Sequence, residues 1–160
     1  MTGPSQAASD GDVTSLRIVR ILPAAPEVVF DAWLDPEAIR VWMCPGEIFE
    51  SIAEIDPSVG GSFTIVMRSP GKDEPHTGEY RVIDRPRQLQ FTWSSASTYD
   101  QPTLVNLEFA PHGDDECELT LTHAELPPDK VELHNVGWKA HVRVMIDLLE
   151  AGALPGVPRR

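Results

Sequence analysis

Hydrophobic positions recur along this chain with a period of two in one long stretch and with helical spacing on either side of it. The β-branched run Leu16–Ile21 predicts a strand within Val13–Leu22, which Pro23 ends. Pro26 and Pro36 then stand at the first positions of two predicted short helices. The alternating stretch predicts six further strands, at Ile48–Ile55, Ser62–Arg68, Gly78–Asp84, Gln88–Ser94, Thr103–Ala110 and Cys117–Thr122.

Short turns separate these predicted strands, which indicates an antiparallel meander with one apolar face that needs a cover. The last predicted helix, Pro128–Ala151, supplies the cover, because Trp138, Val142, Met145 and Leu149 fall on one side of it. The pattern therefore predicts an α+β helix-grip fold. In this fold a curved antiparallel sheet of six to seven strands wraps around a long C-terminal helix, and two short helices follow the first strand.

The two ends of the chain differ in composition from the part between them. Residues 1–12 are small and polar and are expected to form a disordered leader, without the features of a secretory signal. Residues 13–152 are expected to form one domain, and residues 153–160, rich in proline and glycine, a flexible tail. No apolar run reaches the roughly 18 residues of a membrane span, so membrane insertion is not expected.

The net charge bears on which partners the protein can bind, and the cysteine content bears on its location in the cell. The 160 residues include 25 acidic and 13 basic side chains, which gives a net charge of −12. Because nucleic acids and anionic membranes attract basic surfaces, neither is an expected partner. Two cysteines, Cys44 and Cys117, are too few for a disulfide framework and indicate reduced thiols, so a cytoplasmic location is predicted.

Several short motifs occur in the order strand, two helices, meander and long helix. They include Trp42-Met43-Cys44-Pro45, Gly60-Gly61-Ser62-Phe63, Gly78-Glu79-Tyr80, Pro86-Arg87-Gln88-Leu89 and Gly137-Trp138. With these motifs the chain resembles the START-like (SRPBCC) superfamily. Within it, the chain is similar to the family of the carboxy-terminal domain of the heat-shock-protein-90 ATPase activator. Met43 stands where many relatives have a second tryptophan.

The resemblance implies a cavity between the sheet and the last helix, which in relatives accepts lipids, sterols, polyketides or other apolar molecules. It implies no fixed chemistry, because members include carriers, cyclases and co-chaperones, and a fold does not determine a function. A role in the stress response is implied by the chaperone-activator relatives. The residues predicted to line the cavity are Trp42, Phe63, Ile65, Met67, Phe91, Trp93, Leu107, Leu121, His123, Trp138, His141, Val142 and Met145.

His123 and His141 are polar residues on otherwise apolar faces, and two interpretations of them are open. They could form a titratable pair at the cavity mouth that orients or protonates a ligand carbonyl. Alternatively, each is a half-exposed histidine bonded to a carbonyl or to water. No metal-ligand spacing occurs, and no catalytic residue, metal or cofactor is predicted. Cys44 has no basic neighbour in the sequence and is predicted to be a packed thiol.

Three functions are compatible with these features. The leading hypothesis is binding of a small apolar molecule without established catalysis. The second is a chaperone-activator-like module that binds a protein partner through its surface. The third is a cyclase- or dehydratase-type enzyme that uses His141. The protein is expected to be a monomer or a homodimer.

Overall fold

The computed structural model describes residues 14–157, so the predicted leader at residues 1–12 lies outside it, as do residues 158–160 of the predicted tail. The strands between these ends are β1 (Leu16–Leu22), β2 (Glu50–Ile55), β3 (Ser62–Ser69), β4 (Lys72–Asp84), β5 (Gln88–Trp93), β6 (Thr103–His112) and β7 (Glu116–Ala124). The α-helices are α1 (Pro26–Ala32), α2 (Pro36–Trp42) and α3 (Val131–Ala151).

The strands form one antiparallel sheet in the order β1-β7-β6-β5-β4-β3-β2. Strands β2 to β7 are a meander, and β1 adds to its far edge beside β7. A row of buried apolar side chains crosses four strands, since Leu107 pairs with Leu89 on one side and Leu121 on the other, and Leu121 pairs with Ile18. The helix-grip fold predicted from the alternation is confirmed.

Strand β4 differs most from its prediction, because it begins well before Gly78. The turn that precedes it contains only Pro70 and Gly71, and Gly71 has a φ of 73°, which favours glycine. Pro75 lies inside β4, although proline is usually excluded from strand interiors. It is tolerated here because β5 pairs regularly with β4 only from Tyr80 onward, so this stretch has one regular neighbour.

Proline begins both short helices, as predicted. Pro26 and Pro36 take the first helical positions, and the Asp35 carboxylate accepts a hydrogen bond from the backbone N–H of Glu37 at 2.9 Å. Helix α3 packs against β1 and α2, and Gly152 ends it with a φ of 65°. The side chains that α3 buries are His134, Trp138, His141, Val142, Met145 and Leu149.

The packed part of the chain continues past α3. Leu154 is 3% exposed and belongs to the hydrophobic core, and Val157 packs against that core. The described part of the predicted tail, residues 153–157, therefore lies against the domain. None of the helices in residues 14–157 is long and apolar enough to cross a lipid bilayer.

Gly78 lies closely against the backbone of β5 and the ring of Phe63. A Cβ atom at this position would overlap the carbonyl oxygen of Thr92 and the ring of Phe63. Glycine is therefore required here, because any larger residue would displace β5 or the Phe63 ring. The contact shows how tightly aromatic side chains fill the concave face of the sheet.

Candidate functional site

Aromatic side chains fill most of the space between the sheet and the helices. The rings of Trp33 and Trp42 lie 4.6 Å apart, and those of Phe63 and Phe91 lie 5.5 Å apart. The void left between Trp33 and the aromatic residues of β3, β4 and β5 measures about 10 Å³. That volume corresponds to about one water molecule, so this inner part of the described fold has no room for a ligand.

A larger groove of about 260 Å³ lies beside the N-terminal half of α3. One wall comes from strands β3 to β5 and the other from α3. The residues that line this groove, called the histidine groove below, are Pro45, Ile48, Met67, Glu74, His76, Trp93, Ser97, Leu133, His134, Gly137, Trp138 and His141. Small-molecule sites share this character, being concave and mostly apolar with a few polar groups, and their usual range of volumes begins at roughly 300 Å³, just above the volume of this groove.

The structure divides the residues predicted to line a cavity among three places. Those in the histidine groove are Met67, Trp93, Trp138 and His141. Those around the small inner void are Phe63, Ile65, Phe91 and again Trp93. Those buried in the core and lining neither space are Trp42, Leu107, Leu121, His123, Val142 and Met145. Contact of any of them with a ligand stays a prediction.

His76 is a groove residue that the sequence prediction missed. It lies in the part of β4 that follows Pro75 and precedes the predicted strand. Counting back by twos from the buried Tyr80 gives His76 the same inward orientation, so a longer predicted strand would have identified it. Leu133 and Gly137 lie at the edge of the apolar face of α3, where the hydrophobic pattern carries no signal for them.

His123 holds Trp138 in place through a chain of hydrogen bonds. The indole Nε1–H of Trp138 donates to His123 Nδ1 at 2.9 Å. Because an indole only donates, His123 Nδ1 carries no proton and the ring is the neutral Nε2–H tautomer. That Nε2–H donates to the Thr103 hydroxyl at 2.7 Å, and the Thr103 hydroxyl donates to the Trp93 carbonyl at 2.6 Å. Both imidazole nitrogens are therefore used within the protein.

The pKa of His123 is consistent with a neutral ring that is fully used by hydrogen bonds within the protein. Its side chain is fully buried. Burial first, and then the charge of the nearby His134, lowers the pKa of His123 to about 3. The ring therefore stays neutral near physiological pH. The partners of His123 are an indole and a hydroxyl, and not the carbonyl or water expected from the sequence.

His141 has one nitrogen without a partner in the described chain. Its Nδ1 lies 2.6 Å from the Gly137 carbonyl oxygen, and because a carbonyl only accepts, Nδ1 carries the proton. Burial lowers the pKa of His141 to about 4, so Nε2 has a free lone pair at neutral pH. This buried Nε2 receives no hydrogen bond from residues 14–157. His141 is thus suited to accept a hydrogen bond and not to donate a proton.

His76, a lining residue on the strand wall of the groove, also has a buried nitrogen without a partner in the described chain. Its ring stacks on Trp93 with centroids 4.9 Å apart, and its Nδ1 is buried without a hydrogen-bond partner among the described residues. Burial lowers the pKa of His76, with the charge of Glu74 opposing that effect. A buried polar atom left unpaired costs roughly 1–3 kcal/mol. Of the three such atoms among residues 14–157, the third being Trp33 Nε1, two belong to residues that line the histidine groove.

Metal binding and thiol chemistry find no support at these residues. Within the part of the chain that the structure describes, no three His, Cys, Asp or Glu side chains converge to hold a metal ion. Both cysteines are free thiols. Burial raises the pKa of Cys44, and it raises the pKa of Cys117 to about 11, so neither thiol ionises readily.

Gly137 has no side chain to occupy the groove at the helix wall. A Cβ atom at this position would meet nothing within 4 Å, so packing does not require a glycine here. Glycine inside a helix is less favourable than alanine by roughly 0.8–1 kcal/mol. The residue therefore weakens α3 while it leaves space in the groove.

Comparisons with known proteins identify the family. A family model described as "Activator of Hsp90 ATPase homolog 1-like protein" matches residues 23–150. The chain belongs to this family. The resemblance drawn from the sequence is confirmed. A search of curated proteins finds no significant match.

Solved structures share the fold of this Hsp90 activator homologue-like protein. Protein CV1439 from Chromobacterium violaceum has a TM-score of 0.73 and 22% identity, over 84% of this chain and 96% of that chain. A protein from Rhodobacter sphaeroides has a TM-score of 0.74 and 22% identity, over 93% and 97%. An Hsp90 activator from Plasmodium falciparum has a TM-score of 0.58 and 26% identity, over 72% and 75%. The first two show a common fold alone.

Proposed function

We propose that this protein binds one small, mostly apolar molecule in the histidine groove and does not transform it. The observation that carries the proposal is the groove itself, with a volume of about 260 Å³ and a mostly apolar lining. Apolar ligands bind by removing such surface from water. We place this function in the cytoplasm, because both cysteines are unpaired thiols.

Two features of the groove support a ligand over simple packing. Leu133 lines the groove and is 53% exposed, so a bound ligand could bury apolar surface there. Gly137 leaves open space at a position where alanine would give a more stable helix. A stability cost at a groove wall is typical of residues retained for function.

The proposal is tested by filling the groove with a side chain from α3. Wild-type protein is expected to bind an apolar fluorescent dye, or a member of a panel of flavonoids and fatty acids, with a stoichiometry near one. Its thermal midpoint should rise with ligand concentration, because only the native state binds. The Gly137→Leu variant should fold at least as stably as wild type, since leucine favours helix and its Cβ meets no atom. This variant should lose binding by at least about tenfold, about 1.4 kcal/mol.

The matched control is Val136→Leu, one residue away. Val136 is 58% exposed and does not line the groove, so this change places the same leucine side chain on α3 outside the site. Calorimetric titration of the three proteins measures affinity and stoichiometry together. The proposal fails if no compound of the panel binds wild type, or if Gly137→Leu binds as tightly as Val136→Leu.

A second candidate function is interaction with an Hsp90-type chaperone, in which case the protein would act in the stress response. The family description and the Plasmodium falciparum relative, an Hsp90 activator, favour it. Exposed apolar side chains on α3, among them Leu133 and Val136, offer a surface for such a partner. An Hsp90 ATPase assay separates the candidates. Stimulation that persists in Gly137→Leu would favour the surface function over ligand binding.

A further inference from the structure

We propose that the ligand of the histidine groove is planar and uncharged, and that its hydroxyl or N–H group donates a hydrogen bond to Nε2 of His141. The inference rests on the proposed function, binding of a small apolar molecule in the groove. It assigns the chemical class of that molecule, namely phenols and N–H heteroaromatic compounds, in preference to fatty acids and other carboxylates.

The first argument is that helix α3 itself fixes His141 as an acceptor. His141 and Gly137 are one turn apart, and the 2.6 Å bond to the Gly137 carbonyl requires the proton on Nδ1. The remaining lone pair on Nε2 is therefore present whether or not a ligand is bound. His141 is 8% exposed and lines the groove, while its Nε2 is buried and has no partner among residues 14–157, so a ligand donor that reaches Nε2 from the groove would satisfy it.

The second argument is the charge of the groove. Glu74 contributes a carboxylate to the lining, and no Lys or Arg of the described chain lines it. The whole chain carries a net charge of −12. A carboxylate ligand would meet neutral imidazoles and a carboxylate of the same sign, and it would leave Nε2 of His141 without a donor. Anionic ligands are therefore disfavoured.

The third argument is the shape of the walls. On the strand wall, the rings of His76 and Trp93 stack at 4.9 Å with an angle of 34°. On the helix wall, the rings of Trp138 and His141 lie 5.3 Å apart. Ring systems on two sides of a groove favour a flat molecule, which can stack on one wall or meet it edge to face. A second polar group on the ligand would have His76 Nδ1 as its partner.

A matched set of three compounds tests the assignment: naphthol, its methyl ether and naphthoate, all substituted at the same ring position. Naphthol is expected to bind wild-type protein at least about tenfold more tightly than its methyl ether, which is similar in shape but donates no hydrogen bond. Naphthoate is expected to bind more weakly than either. Isothermal titration calorimetry measures the three affinities at neutral pH.

Variants at His141 show whether this residue causes the preference. In His141→Phe, which keeps a ring but no acceptor, naphthol and its ether should bind within about threefold of each other. His112→Phe is the control, because His112 lies on the surface outside the groove and this variant should keep the preference. Nitrogen NMR of wild type gives a second readout that needs no variant, since the Nε2 resonance of His141 should move with naphthol and not with the ether.

The outcomes separate this inference from the proposed function. If naphthol and its ether bind wild type equally, or if His141→Phe keeps the preference, the donor assignment is wrong while the groove remains a binding site. If naphthoate binds most tightly, the charge argument is wrong. If none of the three compounds binds, the ligand class is overturned, and the dye and panel titrations decide separately whether the groove binds any ligand.

Discussion

Replacing Trp138 with alanine is expected to lower the free energy of unfolding by about 3–5 kcal/mol, the range for deleting a buried aromatic side chain. Trp138 is 3% exposed, and its ring lies 5.1 Å from Trp93 and 6.0 Å from Trp33. The change also removes the N–H that donates to His123 and leaves a buried acceptor unpaired, which places the expected loss toward the upper end of that range. Because domains are stable by roughly 5–15 kcal/mol, this variant should be barely folded.

Urea denaturation followed by circular dichroism measures this effect. The Trp138→Phe variant separates the contribution of ring packing from that of the hydrogen bond to His123. Phenylalanine keeps most of the ring packing and loses the N–H, so it should cost about 1–3 kcal/mol. Lys139→Ala is the control, because Lys139 is exposed on the same helix. A Trp138→Ala variant that unfolds at the same urea concentration as Lys139→Ala would show that the assigned contacts do not stabilise the fold.

Mild acid is expected to destabilise the protein at a pH where carboxylates are still ionised. The folded pKa of His123 is about 3 and that of His141 about 4, both below the ordinary value of 6.5. The unfolded chain therefore takes up protons as the pH falls below about 6.5, while the folded chain does not. Stability is complete above that pH and is lost toward pH 4 and below. At about 1.36 kcal/mol per pH unit, each histidine should remove about 2 kcal/mol by pH 5.

The measurement is the free energy of unfolding from urea titrations at pH 7, 6 and 5, for wild type and for His141→Phe. Wild type should lose about 4 kcal/mol between pH 7 and 5 from these two residues alone, and the variant about 2 kcal/mol less. Burial also lowers the pKa of His76 and His134, which strengthens the dependence. A free energy of unfolding that is constant over this range would contradict the neutral, buried state assigned to these histidines.

The fold could be predicted because alternation and helical spacing are local signals. Leu107 and Leu121 are buried as their positions in alternating runs predict, and Trp138 and Met145 are buried on the same side of α3. The prediction was too short at β4, where Pro75 hides the first half of the strand. Proline is tolerated there because β5 does not extend that far, and the length of a neighbouring strand cannot be inferred from the residues of β4.

The candidate site was predicted less well, because it depends on side-chain volumes summed over several elements. The alternation placed Phe63 and Phe91 on the inner face but did not show that they and Trp33 would leave only about 10 Å³ between them. Helical spacing did place His141 beside Trp138. The bond between Trp138 and His123 joins a helix to a strand, and no local pattern in the sequence carries that contact.

Strand β1, the first strand, pairs with β7, the last strand, and Leu16 lies opposite His123. The hairpins from β2 to β7 close short loops, which form within about microseconds. The pairing of β1 with β7 closes a loop of nearly the whole domain and costs more entropy. During synthesis β1 therefore leaves the ribosome long before β7, and the apolar face of the sheet stays uncovered until α3 has been made. This domain therefore cannot complete its sheet before β7 has been made, or cover the sheet before α3 has been made.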